Sequence, residues 1–353
     1  MAVSVHTDRS EWDELVQKLG GQPFQSWAWG ELKSNFGWQP HRVAAADGSS
    51  AAQLLIRPYR GLAVAYVPRG PLATSRTTID EALVDELVGL ARSHRAAFLR
   101  LEPDVLEDDA AAEPLDIELR QLGFRSAQRT LQPRSSIRLD LQAMETELWA
   151  GLSKGHRADI RRAERDGVTV RAGDREEDVD RLHEMLVATS ERKAFGFHSA
   201  AYYRTLWRVF GDAARLLLAD YEGRVIAASL VLASGRHGIY LVAGSTAAGL
   251  EHRAAHLLQW HAIRWARERG AATWDLWGIA DARGRHELAA SRGADPASRH
   301  LARLEAEAKR DPLDGVFRFK KGWGGRVVRT LPAYDRVFIA PAYWFWQWRR
   351  GEA

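Results

Sequence analysis

The sequence predicts an α+β protein built from two tandem copies of one domain, each a central mixed sheet flanked by helices. Three observations predict it. Landmarks recur at a nearly constant spacing: Gly48 and Gly223 lie 175 residues apart, within similar segments at 44–55 and 219–230. The apolar runs that follow end near Tyr66 and Tyr240, and Ala96-Ala97-Phe98-Leu99-Arg100-Leu101 matches Ala271-Ala272-Thr273-Trp274-Asp275-Leu276, again 175 residues on. Each copy also shows the same order of periodicities, helices first, then a strand meander, one helix and a short returning strand. Finally, the period is far too long for a solenoid and right for a whole domain. At 353 residues the chain can hold two domains, each with its own core. Two such domains leave a cleft where a large substrate could lie.

Taken in order, residues 8–36 predict two short helices around the turn at Gly20-Gly21. Strands follow at 41–46, 51–58 and 62–67, separated by Gly or Pro signals. Leu83, Leu87 and Leu90 share one face of a helix over 79–95. Phe98-Leu99-Arg100-Leu101 is a short buried strand, 112–122 a helix and 137–141 another strand. A helix at 143–151 opens the second copy, and Ser153 and Gly167 punctuate the next, over 154–166. Helices at 176–194 and 200–211 precede strands at 215–221, 225–233 and 237–243, then helix 253–269 and strand 272–277. The Arg-, Gly-, Ala- and Asp-rich stretch 280–300 reads as a mobile insertion. A charged helix at 300–310 and a basic, glycine-rich segment at 319–326 follow it. This order places the domains at 1–148 and 149–330. It is the order of the acetyltransferase-like fold, which binds an acyl donor where two central strands splay apart.

Composition narrows the chemistry. Hydrophobic content of 46% and charged content of 27% fit a soluble globular protein. No stretch of eighteen apolar residues predicts a membrane span, and the first eight residues lack a leader's apolar run. The absence of cysteine excludes disulfides, thiolate nucleophiles and cysteine-bound metal, and is compatible with the cytoplasm. Net charge is +4 with a pI near 9.4. The arginine-rich balance suits phosphate-bearing partners but is too mild for a dedicated DNA-binding protein.

Motifs spread along most of the chain carry a resemblance. Gln25-Ser26-Trp27-Ala28-Trp29-Gly30-Glu31-Leu32-Lys33 comes first, then Tyr66-Val67-Pro68-Arg69-Gly70-Pro71 and Leu101-Glu102-Pro103. Gln132-Pro133, the basic run from Ser153-Lys154 to Gly167-Val168, and Tyr240 through Gly244-Ser245 continue the series. Asp275-Leu276-Trp277-Gly278-Ile279 and Phe319-Lys320-Lys321-Gly322-Trp323-Gly324-Gly325 complete it. Together they resemble the Fem family of non-ribosomal peptidyltransferases, which build peptidoglycan cross-bridges. The resemblance implies two acetyltransferase-like domains, the first completed by the C-terminal strand within 331–353. It implies transfer of an aminoacyl group from aminoacyl-tRNA to an amine of the stem peptide, on a UDP-linked or lipid-linked muramyl pentapeptide. It implies neither metal nor acyl-coenzyme A.

The residues themselves allow these roles and plainer ones. Lys33 lies where the family holds the acceptor's diphosphate, and a lysine there neutralises phosphate as a point charge; it also reads as a solvated lysine on an amphipathic helix. Glu102 stands where the family often has Asp, able to bond the acceptor's sugar or amine, and Arg69 belongs to the neighbouring strand-end motif. Tyr202 and Tyr240 match tyrosines that line the acceptor site, though core tyrosines are commoner. His198 replaces a phosphate-binding arginine and Val242 a tyrosine, which weakens the expectation of a nucleotide-linked acceptor.

Lys320 is the expected catalytic group. Attack of an amine on an ester builds charge on oxygen, and a fixed ammonium stabilises it. Lys321 is its rival, and a basic strand edge the plainer reading. Arg157, Arg161 and Arg165 share one helix face and could track a tRNA backbone, or be a solvated face. The run 342–350, rich in Trp and Arg, suits a bilayer interface or packing on the first domain. His252 and His256 lack the third ligand of a zinc site. An acyl-coenzyme A-dependent transferase and a non-enzymatic RNA- or precursor-binding module are the alternatives.

Overall fold

Capping residues set the first elements. The computed structural model describes residues 3–75, 77–127, 129–193 and 196–349, apart from the side chains of 189–193 and 349. Strand β1 (Val3–Val5) precedes α1 (Arg9–Lys18), whose N-cap Asp8 accepts from the Glu11 N–H at 2.9 Å. Ser26 caps α2 (Trp27–Ser34) through the Trp29 N–H. Then β2 (Gln39–Ala45), β3 (Ser50–Tyr59) and β4 (Leu62–Pro68) form an antiparallel meander, with β5 (Leu72–Ala73) paired to β3. Helix α3 (Glu81–Ser93) buries Leu83, Val84, Leu87 and Val88 on one stripe. It delivers β6 (Ala96–Glu102), wholly buried and parallel to β4. α4 (Ala112–Gln121) and β7 (Arg125–Ala127) follow.

The chain then leaves this unit. β8 (Ser135–Asp140), α5 (Glu145–Gly151), α6 (Lys154–Arg165) and β9 (Thr169–Ala172) lead to α7 (Glu176–Lys193) and α8 (Ala200–Phe210). A second meander is formed by β10 (Ala214–Tyr221), β11 (Arg224–Ser234) and β12 (His237–Ser245). α9 (Ala247–Glu251) and α10 (Ala254–Glu268) return the chain to β13 (Thr273–Asp275), parallel to β12. Next come α11 (Asp281–Ser291), α12 (Arg299–Ala308), α13 (Asp314–Lys321) and β14 (Arg326–Arg329). β15 (Ala333–Val337) and α14 (Ala340–Arg349) end the described chain.

Two compact units result, residues 1–134 with 330–353, and residues 135–329. The first sheet runs β1-β2-β3-β4-β6-β15-β7. The second, read from its far edge, runs β9-β10-β11-β12-β13-β8-β14. Position by position these are one arrangement, so the repeat seen in the sequence is a repeat of topology. Gly48 and Gly223 turn the first hairpin of each meander with φ of 68° and 74°, a conformation glycine adopts without strain.

The strands beside the two parallel pairs are exchanged in the sequence. β8 pairs with β13, Leu139 opposite Trp274, although it follows β7 of the first unit. β15 pairs with β6, Tyr334 opposite Leu101, although it follows β14 of the second. The strand expected at 137–141 therefore belongs to the second sheet, and the C-terminal strand completes the first.

Two expectations fail on packing. Residues 280–300 are not a mobile insertion: α11 buries Ala282, Gly284 and Leu288, and Arg283 is held by Asp314 and Glu305 at 2.9 and 2.6 Å. A Cβ at Gly284 would stand 2.2 Å from Ser135 Oγ, so this glycine serves close packing rather than flexibility. The basic segment at 319 is no strand edge either, because Lys320 lies in the last turn of α13. Each unit has its own core, with Trp274 and Trp323 central to the second and Leu54, Leu99 and Tyr334 to the first. Each such buried apolar side chain contributes roughly 1.5–3 kcal/mol.

Candidate active site

The second sheet opens where its parallel pair ends. β12 and β13 stay in register only from His237 opposite Thr273 to Ile239 opposite Asp275. Beyond that, β12 runs on paired to β11 alone, through an irregularity between Leu230 and Val231. In the first sheet the equivalent pair, β4 and β6, stays joined to its end, Pro68 opposite Glu102. Only the second pair of strands parts.

Asp275 fixes that fork. Its buried carboxylate accepts from Arg138 Nε at 2.9 Å, Ser136 Oγ at 3.2 Å and the Trp277 N–H at 2.7 Å. Trp277 is left-handed, with φ of 63°. The carbonyls of Trp277 and Gly278 both accept from Lys320 Nζ, at 3.2 and 2.5 Å. Lys320 is only 9% exposed. Burial draws its pKa down from 10.5 to about 8, and Asp275 partly opposes the shift. The amine is thus still mostly charged at neutral pH, with two of its three N–H donors anchored.

The turn behind Lys320 is fixed as well. The His156 ring, N-terminal on α6, bonds the Phe319 carbonyl through Nε2 at 2.7 Å and Ser153 Oγ through Nδ1 at 3.1 Å. Burial lowers its pKa, which favours the neutral ring. A Cβ at Gly322 would lie 2.1 Å from this ring, so residue 322 must be glycine for the contact to exist. His256 stacks edge-on against His156 at 4.8 Å and takes part in this aromatic packing. Lys321, the rival, points away to Glu287 and is half-exposed.

Tyr240 stands on β12 one residue past the last pairing with β13, at the mouth of the fork, its pKa raised by burial. His198 and Tyr202 form a separate cluster at the start of α8. Their rings stack at 3.8 Å, and the Tyr203 hydroxyl accepts from the His198 N–H at 3.2 Å. The arginine stripe divides: Arg157 donates to the Ala150 carbonyl at 2.7 Å and so closes the end of α5, whereas Arg161 and Arg165 are exposed. A cavity of about 900 Å³ elsewhere in this unit is lined by Arg171, Arg181, Glu184, Asp220 and Arg224 among others, and includes none of the expected residues.

The first unit holds a second group of expected residues. Lys33 lies over the Trp29 ring, 4.5 Å from its centroid, one turn on along α2. Burial, and then Arg57, lower its pKa to about 8. Arg57 lies over Trp38 at 5.5 Å, and Trp38 packs on Tyr66 at 6.3 Å. The Tyr66 hydroxyl donates to Glu102 at 2.6 Å. Glu102 also accepts from the Leu131 and Gln132 N–H groups. Its pKa is raised, burial outweighing these bonds. Arg69, with φ of 49°, donates to the Pro133 carbonyl at 2.7 Å and to Thr330 Oγ1 at 3.2 Å. Glu102 and Arg69 thereby brace the chain at 131–133. Sequence reasoning missed Arg57, Trp38 and Tyr66 as neighbours of Lys33. The one signal available was an arginine placed directly after the unbroken buried run of β3.

Two acetyltransferase-like sheets, the second forked between its parallel strands with a buried ammonium bonded to the chain just past β13, fit a protein of the acyl-transfer class. The chain belongs to the FemAB family, which it matches over residues 7–224 and 220–347. It is 29% identical over 285 residues to the UDP-N-acetylmuramoylpentapeptide-lysine N(6)-alanyltransferase of Weissella viridescens, spanning 75% of this chain and 82% of that protein. It is 22% identical to the lipid II:glycine glycyltransferase of Staphylococcus aureus, over 96% and 94% of the two chains. Its fold is that of the crystal structure of FemX, with a TM-score of 0.81, 20% identity and coverage of 98% and 99%.

Proposed function

We propose that this chain is an aminoacyltransferase of peptidoglycan cross-bridge formation. It moves an amino acid from aminoacyl-tRNA to a stem-peptide amine of a lipid-linked or UDP-linked muramyl pentapeptide, on the cytoplasmic side of the membrane. The observation that carries this reading is the Lys320 ammonium fixed on the carbonyls of Trp277 and Gly278 at the strand fork. The two named relatives, an alanyltransferase and a glycyltransferase, supply the reaction class.

The acceptor amine attacks the ester carbonyl carbon, and charge gathers on the carbonyl oxygen. The remaining N–H of Lys320 bonds that oxygen in the transition state. The amide forms as the ester C–O bond breaks, and the proton shed by nitrogen ends on the departing ribose oxygen. Lys33, with Arg57 beside it, binds the acceptor's diphosphate. Tyr240, Tyr202 and His198 contact the acceptor on the second unit, and Glu102 and Arg69 serve acceptor binding on the first. Arg161 and Arg165 meet the tRNA backbone.

The test is mass spectrometry of UDP-linked and lipid-linked acceptors, incubated side by side with purified protein and a pool of charged tRNAs. The expected result is a gain of one amino-acid residue. No gain on either acceptor, with transfer appearing on addition of an acyl-coenzyme A instead, would overturn the donor.

A further inference from the structure

Helix α14 is aromatic on both faces. Its inner face carries Tyr343, which packs on Phe98 at 5.2 Å and donates to Asp335 at 2.9 Å, and Trp346, which meets Phe98 at 4.7 Å. These contacts fasten the helix to the first sheet. The outer face carries Trp344, Phe345 and Trp348, which are 62%, 50% and 58% exposed. At 100° per residue the three span about a quarter-turn of the helix, so they form one surface. Contiguous exposed aromatic surface of this kind marks an interaction site.

The surroundings indicate which partner. Val64, Ala97 and Ile339 share one apolar cluster with Phe98 and Tyr343, which brings the β3–β4 hairpin and the α3–β6 turn near the start of α14. The hairpin exposes Tyr59, 48% accessible, under the Arg60 guanidinium at 5.4 Å. The turn exposes Arg92 and Arg95, and Arg92 lies over Phe338 at 5.2 Å. The segments 57–64, 88–98 and 336–349 contain no Asp or Glu. The exposed charges on these three segments are therefore all cationic. The aromatic face they accompany fits a surface that is apolar within and anionic at its boundary.

We propose that the outer face of α14, rimmed by Arg60 and Arg95, docks on an anionic phospholipid bilayer. Trp344, Phe345 and Trp348 enter at headgroup depth, where indole rings are well accommodated, and the arginines meet lipid phosphates. Docking would bring the protein to a lipid-linked acceptor, and that consequence rests on the proposed function; the docking itself does not.

Co-sedimentation tests it, with vesicles of phosphatidylcholine alone or mixed with phosphatidylglycerol and no substrate present. The intact chain is expected to sediment with the anionic vesicles and to be released by salt. W344S/F345S/W348S is expected to bind about tenfold more weakly or worse, and R60E/R95E to lose the preference for anionic vesicles. Both variants should keep the far-ultraviolet dichroism of the parent and its transfer rate on a soluble UDP-linked acceptor. Equal sedimentation of parent and variants would overturn the proposal. So would a concentration-dependent dimer that the triple variant abolishes, which would assign the face to a second copy. Vesicle binding without any aminoacyl transfer would leave the surface standing and remove the proposed reaction; transfer without vesicle binding would do the reverse.

Discussion

Lys320 Nζ and the Gly278 carbonyl are joined by a 2.5 Å hydrogen bond across forty-two residues of sequence. Helix α13 brings the ammonium, and the left-handed turn at Trp277 brings the acceptor. Removing the amine should cost activity and relieve the fold. Lys320→Ala should lower kcat about 10²–10³-fold. Burial holds the Lys320 pKa near 8, below its ordinary 10.5. The charged form is therefore the form the fold disfavours. That penalty is present below about pH 8 and fades as pH rises toward 10.5. Lys320→Met should raise stability at pH 7 by about 1–3 kcal/mol, and by less near pH 10, in denaturant titrations. A methionine variant no more stable than the parent at pH 7 would show that the charge is better solvated than its burial indicates.

The same amine predicts a pH–rate profile. If the ammonium is the working form, kcat should fall above about pH 8 as the proton leaves. In Lys320→Arg the guanidinium stays charged, so that alkaline limb should disappear, with a lower plateau because the planar fork fits two carbonyls set for an amine less well. An unchanged alkaline limb in the arginine variant would assign the titration to another group.

Lys33 should act on binding. Lys33→Gln is expected to raise KM for a diphosphate-bearing acceptor about 10–100-fold with kcat little changed. Because its pKa lies near 8, KM of the parent should also climb above that pH. Steady-state kinetics on an acceptor lacking the diphosphate is the control, and an equal effect there would remove Lys33 from phosphate binding.

His198 sets acceptor preference in this reading. Its ring is exposed and stacks on Tyr202 at 3.8 Å, so an arginine can occupy the same position. His198→Arg should lower KM for a UDP-linked acceptor by several-fold. An unaltered KM would place the phosphates elsewhere.

Arg100 and Asp335 form a bidentate pair at 2.7 and 2.6 Å, both fully buried between β6 and β15. Asp335→Ala leaves the guanidinium uncompensated and should destabilise the first unit by about 3–5 kcal/mol. Replacing both, as Arg100→Met with Asp335→Leu, should recover much of that. Thermal unfolding of the three proteins checks it; a single variant as stable as the parent would mean that water reaches the pair.

Much of this was legible in the chain. Gly48 and Gly223 stand out because a tight hairpin demands positive φ in both sheets. Leu83 and Leu87 announce α3 because one helix face must be apolar. Lys320 was legible as a residue, through the motif around it, but its clasp was not. That depends on a backbone turn at Trp277 and a ring contact from His156, neither encoded near position 320. The stretch 280–300 misled for a related reason. Arginine and glycine suggest mobility until Arg283 finds Asp314 and Glu305 and Gly284 finds Ser135, all distant in sequence.

The exchange of β8 and β15 sets an order of birth. The second unit is one unbroken segment, 135–329, whereas the first needs residues beyond 330. On the ribosome, β6 emerges long before its neighbour β15. With roughly 230 residues between them and translation at about 5–20 residues per second, that edge waits about 10–50 s. The later-made unit can thus complete its sheet first, and Arg100 stays without Asp335 until the final strand is released. Released chains that end at residue 329 should carry a folded second unit and an N-terminal half still open to a holding chaperone.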